Sequence, residues 1–222
     1  MPQMPREKAL LAGEFVSART ISLIYQLLVL AAVIALAVPV AMVAILEGAG
    51  EIPLPFNLHI VDLRLPAVFK IHMLASGLAL LLIPAAIALR RRPQIHKPVA
   101  RAASLAVIAG GLSSFPVAVL SDSVTVARVG FFAQGLVWMS LLGLGIYAVR
   151  TRQIALHQRA MLAMGAVATG AIWVRLITAV AVKSPESFNA VYGLSAWAAW
   201  LVPLALAWRY GDMLLAPRLR RI

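Results

Sequence analysis

His157 and Arg175 lie eighteen residues apart in a stretch that is otherwise almost wholly apolar, running His157-Gln158-Arg159-Ala160-Met161 and on through Trp173-Val174-Arg175. At 100° per residue, eighteen positions make five whole turns. His157, Met161, Met164, Ala168, Ala171 and Arg175 therefore share one stripe of a helix whose polar ends are about 27 Å apart. Neutral imidazole is a good axial ligand for haem iron, and a guanidinium fork grips carboxylates, phosphates and carbonyls. An arginine inside an apolar span is costly, and its default reading is functional. Three more histidines, His59, His72 and His96, complete the set of four, and cysteine is absent. Disulfides, iron-sulfur clusters and thiolate metal sites are thereby excluded.

The elements that must carry these residues follow from composition. Of the 222 residues, 62% are hydrophobic and 13% charged, and the mean hydropathy of +0.91 lies outside the range of soluble domains. Apolar runs long enough to cross a bilayer recur along the chain, which predicts an all-α polytopic bundle of six transmembrane helices. The spans are expected at 20–46, 68–89, 99–120, 129–149, 157–182 and 188–210. They make one transmembrane domain over 20–210, between a polar segment over 1–19 and a basic tail over 211–222. Glu47 to Ala67, rich in Gly and Pro, is expected as a compact exterior loop on the membrane surface. Pro98 suits the first turn of the third span, and Gly110, Gly111, Ser113 and Ser114 give that span a small-residue surface for close helix contact. Met161 and Met164 read as packing. No fixed-period repeat is visible.

Charge supplies the orientation. Fifteen of the twenty Lys and Arg residues fall in the N-terminus, the second and fourth connections and the tail, against four in the other three connections. That asymmetry puts both termini in the cytoplasm. The net charge of +12 is carried in short runs at the ends of apolar segments, so its expected partners are the lipid bilayer and anionic head groups at the cytoplasmic face, not nucleic acid.

With this orientation the polar groups sort by depth. His72, Gln134 and Arg175 are expected in one layer of the outer leaflet, with Asp62 or His59 reaching down from the exterior loop. An arginine, a histidine and an amide at one depth suit an anion, a quinone head group or a haem propionate. The competing reading has Arg175 snorkelling outward or pairing with Asp62, and Gln134 bonding a neighbouring helix. On the cytoplasmic side His96 and His157 each stand within a turn of a helix start, as an inner pair of haem ligands would. His96, His157 and His72 are the candidate metal ligands; with Arg175 and Gln134 they form the candidate cofactor site, for haem b or quinone. No GxSxG, HExxH, Walker or GxGxxG pattern occurs in a credible context.

Several of these pieces resemble the bacterial membrane proteins that carry the domain of unknown function 2306. The likeness covers roughly Lys70 to Thr178. It rests on His72 followed by Gly77, the arginine run with Ile95-His96-Lys97 and Arg101, His157-Gln158-Arg159-Ala160-Met161, and Arg175-Leu176. The chain departs from that pattern at Ala100, Ala160 and Ala163. The resemblance implies a multi-pass protein of the bacterial inner membrane and marks His72, His96, His157 and Arg175. A looser likeness to cytochrome b561-type bundles, with histidine pairs at both faces, is analogy. Three functions are weighed: a haem- or quinone-linked transmembrane redox protein, an accessory or assembly subunit of a larger membrane complex, and a small-anion or lipid-handling protein.

Overall fold

Apolar side chains remove any reason for these segments to face water, and in lipid each backbone N–H and C=O must be satisfied within its own helix. The computed structural model, which describes residues 24, 28, 31–182 and 185–215, is accordingly helical, with no strand among the described residues. Six spans are long and apolar enough to cross a membrane. They are α1 (Ala31–Ala49), α3 (Pro66–Ala88), α4 (Pro93–Leu120), α5 (Thr125–Arg150), the broken pair α6 (Ile154–Ala168) and α7 (Gly170–Ala181), and α8 (Pro185–Leu215). A short helix, α2 (Phe56–Arg64), lies between the first two spans. The protein is a six-span helical membrane protein. The expected polar segment over 1–19, the start of the first span, Lys183 and the end of the basic tail lie outside the described residues.

The two ends of the bundle differ. The basic face carries the α3–α4 and α5–α6 connections, with Arg90, Arg91, Arg92, Arg150 and Arg152. The α2 face carries α2 and the α4–α5 turn, where Arg64 and Arg128 both donate to the last carbonyls of α4, Arg64 to Leu120 O at 3.0 Å and Arg128 to Val119 O. Those carbonyls have no helical partners of their own, and cationic side chains suit the negative end of a helix dipole.

The helices approach closely where residues are small. A Cβ on Gly77 would stand 2.8 Å from Ile45 Cγ1 and 3.0 Å from the Ala41 carbonyl, so α1 and α3 touch at that point. Gly145 of α5 makes room for the end of Met161 of α6. The expected packing role of Met161 and Met164 is borne out: Met164 is 4% exposed, and both belong to or border the main apolar cluster. That cluster fills the middle and basic half of the bundle with Ile83, Ala103, Val107, Trp138, Leu141, Leu142, Ala163 and Val167.

Three expectations are corrected. The third span starts at Pro93, not Val99; Pro93 occupies the first turn, where its missing N–H costs nothing, and Pro98 lies inside the helix. The exterior segment from Glu47 is shorter than expected, since Glu47 and Gly48 belong to α1 and α2 takes up nine residues more. Most important, the stripe from His157 to Arg175 is not one helix. It breaks at Thr169, whose hydroxyl donates to Ala166 O at 2.6 Å and accepts from Trp173 Nε1 at 3.0 Å. Before the break, α6 packs on α3, α5 and α8. Beyond it, α7 packs on α8, and Ile172 joins Ala37 and Ala41 of α1 and Leu80 of α3 in a separate small cluster.

Candidate functional site in the α2-side half

The second and fourth connections build their hairpins alike. In the first hairpin, His72 of α3 donates from Nδ1 to Gly110 O of α4 at 3.0 Å, and His96 of α4 donates back to Ala86 O of α3 at 3.0 Å. In the second, Gln134 of α5 donates from Nε2 to Val167 O of α6 at 3.1 Å, and His157 of α6 donates back to Gly145 O of α5 at 2.9 Å. Each hairpin therefore has one bond towards the α2 face and one at its basic end. A carbonyl only accepts, so all three imidazoles carry hydrogen on Nδ1, and in the neutral ring Nε2 holds the lone pair. No hydrogen bond among the described residues uses Nε2 of any of the three.

The inner pair expected from sequence is thus distributed over two hairpins, each ring tied to its own partner helix. Ile83, Ala103, Leu142, Ala163 and Met164, from the same four helices, belong to one packed apolar cluster. Among the described residues no three His, Asp or Glu side chains gather as they would around a metal ion. His59, on α2, is exposed.

The α2-side half differs in kind. Its wall carries Arg175 on α7, one turn beyond Ile172, with Nη1 donating to Ala171 O at 2.8 Å. Glu47 of α1, His72 of α3 and Tyr192 of α8 each lie within electrostatic range of Arg175, and none of them is hydrogen-bonded to it. Of the expected layer, His72 is within electrostatic range of Arg175, but each gives its hydrogen bond to a backbone carbonyl, Gly110 O and Ala171 O. Gln134 is committed to the helix break instead: it bonds Val167 O and lies against Gly170, whose Cβ would come within 2.6 Å of its Nε2. Around His72 Nδ1, the hydroxyls of Ser76 and Ser113 lie 3.5 Å away. Gly110 lets α4 come this near, since a Cβ there would stand 2.8 Å from Ser76 Oγ.

Glu47 was not anticipated as a site residue. It is 7% exposed, and its Oε2 is buried with no hydrogen-bond partner. Two other side-chain atoms among the described residues share that condition, Asp62 Oδ1 on α2 and Trp138 Nε1 on α5. An unpartnered polar atom in a dry environment costs about 1–3 kcal/mol, more when charged, and marks a place where structure serves something besides stability. The pairing of Arg175 with Asp62 does not occur. The two ion pairs among the described residues are Arg64 with Asp122 and Arg159 with Asp212, both exposed.

Residues 69–210 match the family described as predicted membrane protein (DUF2306), and since the match spans more than half of the chain, the protein belongs to that family. No curated protein and no solved structure matches the chain, so the likeness to cytochrome b561 gains no support.

Proposed function

We propose that this DUF2306 protein binds the head group of a membrane-soluble quinone in the α2-side half of its bundle, between Glu47, His72 and Arg175, as part of a redox process in the bacterial inner membrane. The charge asymmetry makes the α2 face external and the basic face cytoplasmic, with anionic lipid head groups as the counter-charge there. One observation carries the reading: Arg175, an arginine within a membrane span, gives Nη1 to Ala171 O at 2.8 Å and takes part in neither of the ion pairs among the described residues, which leaves guanidinium donors for a ligand's carbonyl oxygen. A wholly structural cluster would close its hydrogen bonds, and in a small-anion site the Glu47 carboxylate would face the anion. A quinone head group is neutral, small and amphipathic, and Arg175 retains guanidinium N–H groups beyond the one given to Ala171 with which to hold its carbonyl oxygen.

The test is equilibrium binding of a short-chain quinone to the full chain in lipid nanodiscs, followed by quenching of tryptophan fluorescence. Saturable binding is expected, with Arg175→Ala weakening it about tenfold or more, the value of one hydrogen bond to a charged group. Arg159→Ala, on the basic face, is expected to leave it unchanged. Absence of saturation, or equal binding by Arg175→Ala, would refute the proposal.

A haem b held by His96 and His157 is the second reading. The Nδ1–H bonds to Ala86 and Gly145 favour it, because they fix the tautomer whose Nε2 ligates iron. Their attachment to two different hairpins, His96 to α3 and His157 to α5, weighs against it. A visible absorption band in protein purified from haem-replete cells, lost in His157→Ala, would decide for haem; a colourless preparation would decide against it.

A further inference from the structure

We propose that the cavity between α6 and α8 at the basic end of the bundle holds the head group of a zwitterionic phospholipid bearing a primary ammonium, a phosphoethanolamine, with Asp212 taking the ammonium and Arg159 the phosphate. The site lies away from the quinone site and does not depend on it. It begins with a close approach of two helices. Gly211 of α8 is buried, and a Cβ there would stand 3.0 Å from Leu162 Cδ2 of α6. The missing side chain lets the helices meet at this level. Arg159, three residues before Leu162, and Asp212, next after Gly211, then form a two-pronged pair: Nε donates to Oδ1 at 3.0 Å and Nη2 to Oδ2 at 2.6 Å.

The pair lines a cavity of about 60 Å³ together with Ala207, Trp208 and Gly211. Both charged side chains stay open to their surroundings, at 56% and 71% exposure. An exposed pair of this kind adds only about 0–1 kcal/mol to stability. It also leaves much of its bonding capacity unused, since a guanidinium has five N–H groups and a carboxylate about four lone-pair sites, and the two bonds here take two of each. Trp208 stands four residues before the end of the span Ser187–Asp212, the level at which interfacial tryptophans sit, and is 67% exposed. Trp197 and Trp200 on the same helix give their indole N–H groups to Val126 O and Ala196 O, whereas that of Trp208 has no partner among the described residues.

Charge and size together select the ligand. The arginines of the two basic connections attract any anion, but the Arg159–Asp212 pair is neutral, and a lone phosphate would meet the Asp212 carboxylate with nothing to pair it. A zwitterion satisfies both ends of the pair at once. The cavity has space for a few groups the size of a water molecule, at ~10–15 Å³ each, which suits an ammonium on a short arm and not a ring. A primary ammonium brings three N–H donors to the open lone pairs of Asp212. A quaternary ammonium brings none and is held instead by a cage of aromatic rings. Here Trp208 is the one ring in the lining, and the neighbouring Tyr210 has the Arg209 guanidinium over its ring at 5.4 Å.

The experiment uses the full chain in detergent micelles with equal amounts of dioleoyl phosphatidylethanolamine, phosphatidylcholine and phosphatidylglycerol, and counts the retained lipids by native mass spectrometry. Phosphatidylethanolamine is expected to be retained as a single molecule per chain, about tenfold or more over either of the others. Asp212→Asn is expected to reduce that preference severalfold, and Arg159→Ala to lower retention of phosphatidylethanolamine; both residues are exposed, so the fold survives either change. Arg92→Ala, elsewhere on the basic face, should leave the preference intact. Equal retention of the three lipids, a preference for phosphatidylglycerol, or an unchanged preference in Asp212→Asn overturns the inference, and none of these results touches the quinone proposal.

Discussion

Removing the two basic-end histidines together distinguishes a structural staple from a ligand pair. His96→Ala deletes the 3.0 Å bond to Ala86 O, and His157→Ala deletes the 2.9 Å bond to Gly145 O. Gly145 lies inside α5, where its carbonyl keeps a helical bond, whereas Ala86 is among the last four residues of α3, where His96 supplies a partner that the helix does not. The loss is then that of an interhelical bond in lipid, about 0.6 kcal/mol on average and up to about 1.7 kcal/mol, plus some packing from a half-buried ring. The two bonds belong to different hairpins and share no partner, so the double substitution should cost the sum of the singles within about 0.5 kcal/mol. If the two rings instead gripped one cofactor, either substitution would destroy the same site, and the double would cost little more than one single. The assay is equilibrium unfolding in mixed micelles, followed by the fluorescence of the five tryptophans. A coupling above about 1 kcal/mol between the two positions would refute the staple assignment.

Three further outcomes are expected. Gly77→Ala forces a methyl group against Ile45 and the Ala41 carbonyl; it should destabilise the protein by about 1–3 kcal/mol in the same assay, and a neutral result would show that α1 and α3 are not locked at that point. Gln134→Leu removes the bond to Val167 O beside the helix break; solvent labelling of a cysteine placed at Thr178 should change, whereas unchanged labelling would separate the break from Gln134. Arg64→Ala breaks the exposed pair with Asp122; its cost should stay below about 1 kcal/mol and shrink with added salt, and a larger, salt-independent loss would mean that the bond to Leu120 O is the main restraint on α2.

Much of the architecture was legible because a bilayer leaves few solutions: long apolar runs between charge clusters become spans, and five of the expected spans correspond to α3, α4, α5, the α6–α7 pair and α8. The small-residue surface at Gly110, Gly111, Ser113 and Ser114 was legible for the same reason, and Gly110 and Ser114 do meet neighbouring helices. Glu47 was missed because the apolar run stops at Leu46, which made the first charge look like the first loop residue. Its signal was periodic: Ala37, Ala41 and Ala44 recur every three to four positions, all 8% exposed or less, and Glu47 is the next member of that buried stripe. Asp62 or His59 was expected to reach inward from the exterior segment. Asp62 buries a side-chain oxygen, whereas His59 is exposed.

The break at Thr169 had no readable cause, since Ala168-Thr169-Gly170-Ala171 continues an apolar helix pattern without proline. Its causes are tertiary: Gln134 takes the Val167 carbonyl, Gly170 admits the amide that does so, and Thr169 and Trp173 close the local bonds. Thr169 keeps right-handed helical angles, φ −65° and ψ −11°, so the interruption is a local tightening that divides one span into α6 and α7. As α6, the span packs between α3, α5 and α8 and helps close the basic half with apolar side chains and a histidine staple. As α7, it leaves that packing and carries Arg175 to the half where Glu47, His72 and Tyr192 stand. The two partnerless carboxylate oxygens, Glu47 Oε2 and Asp62 Oδ1, lie in the same half of the bundle as α7.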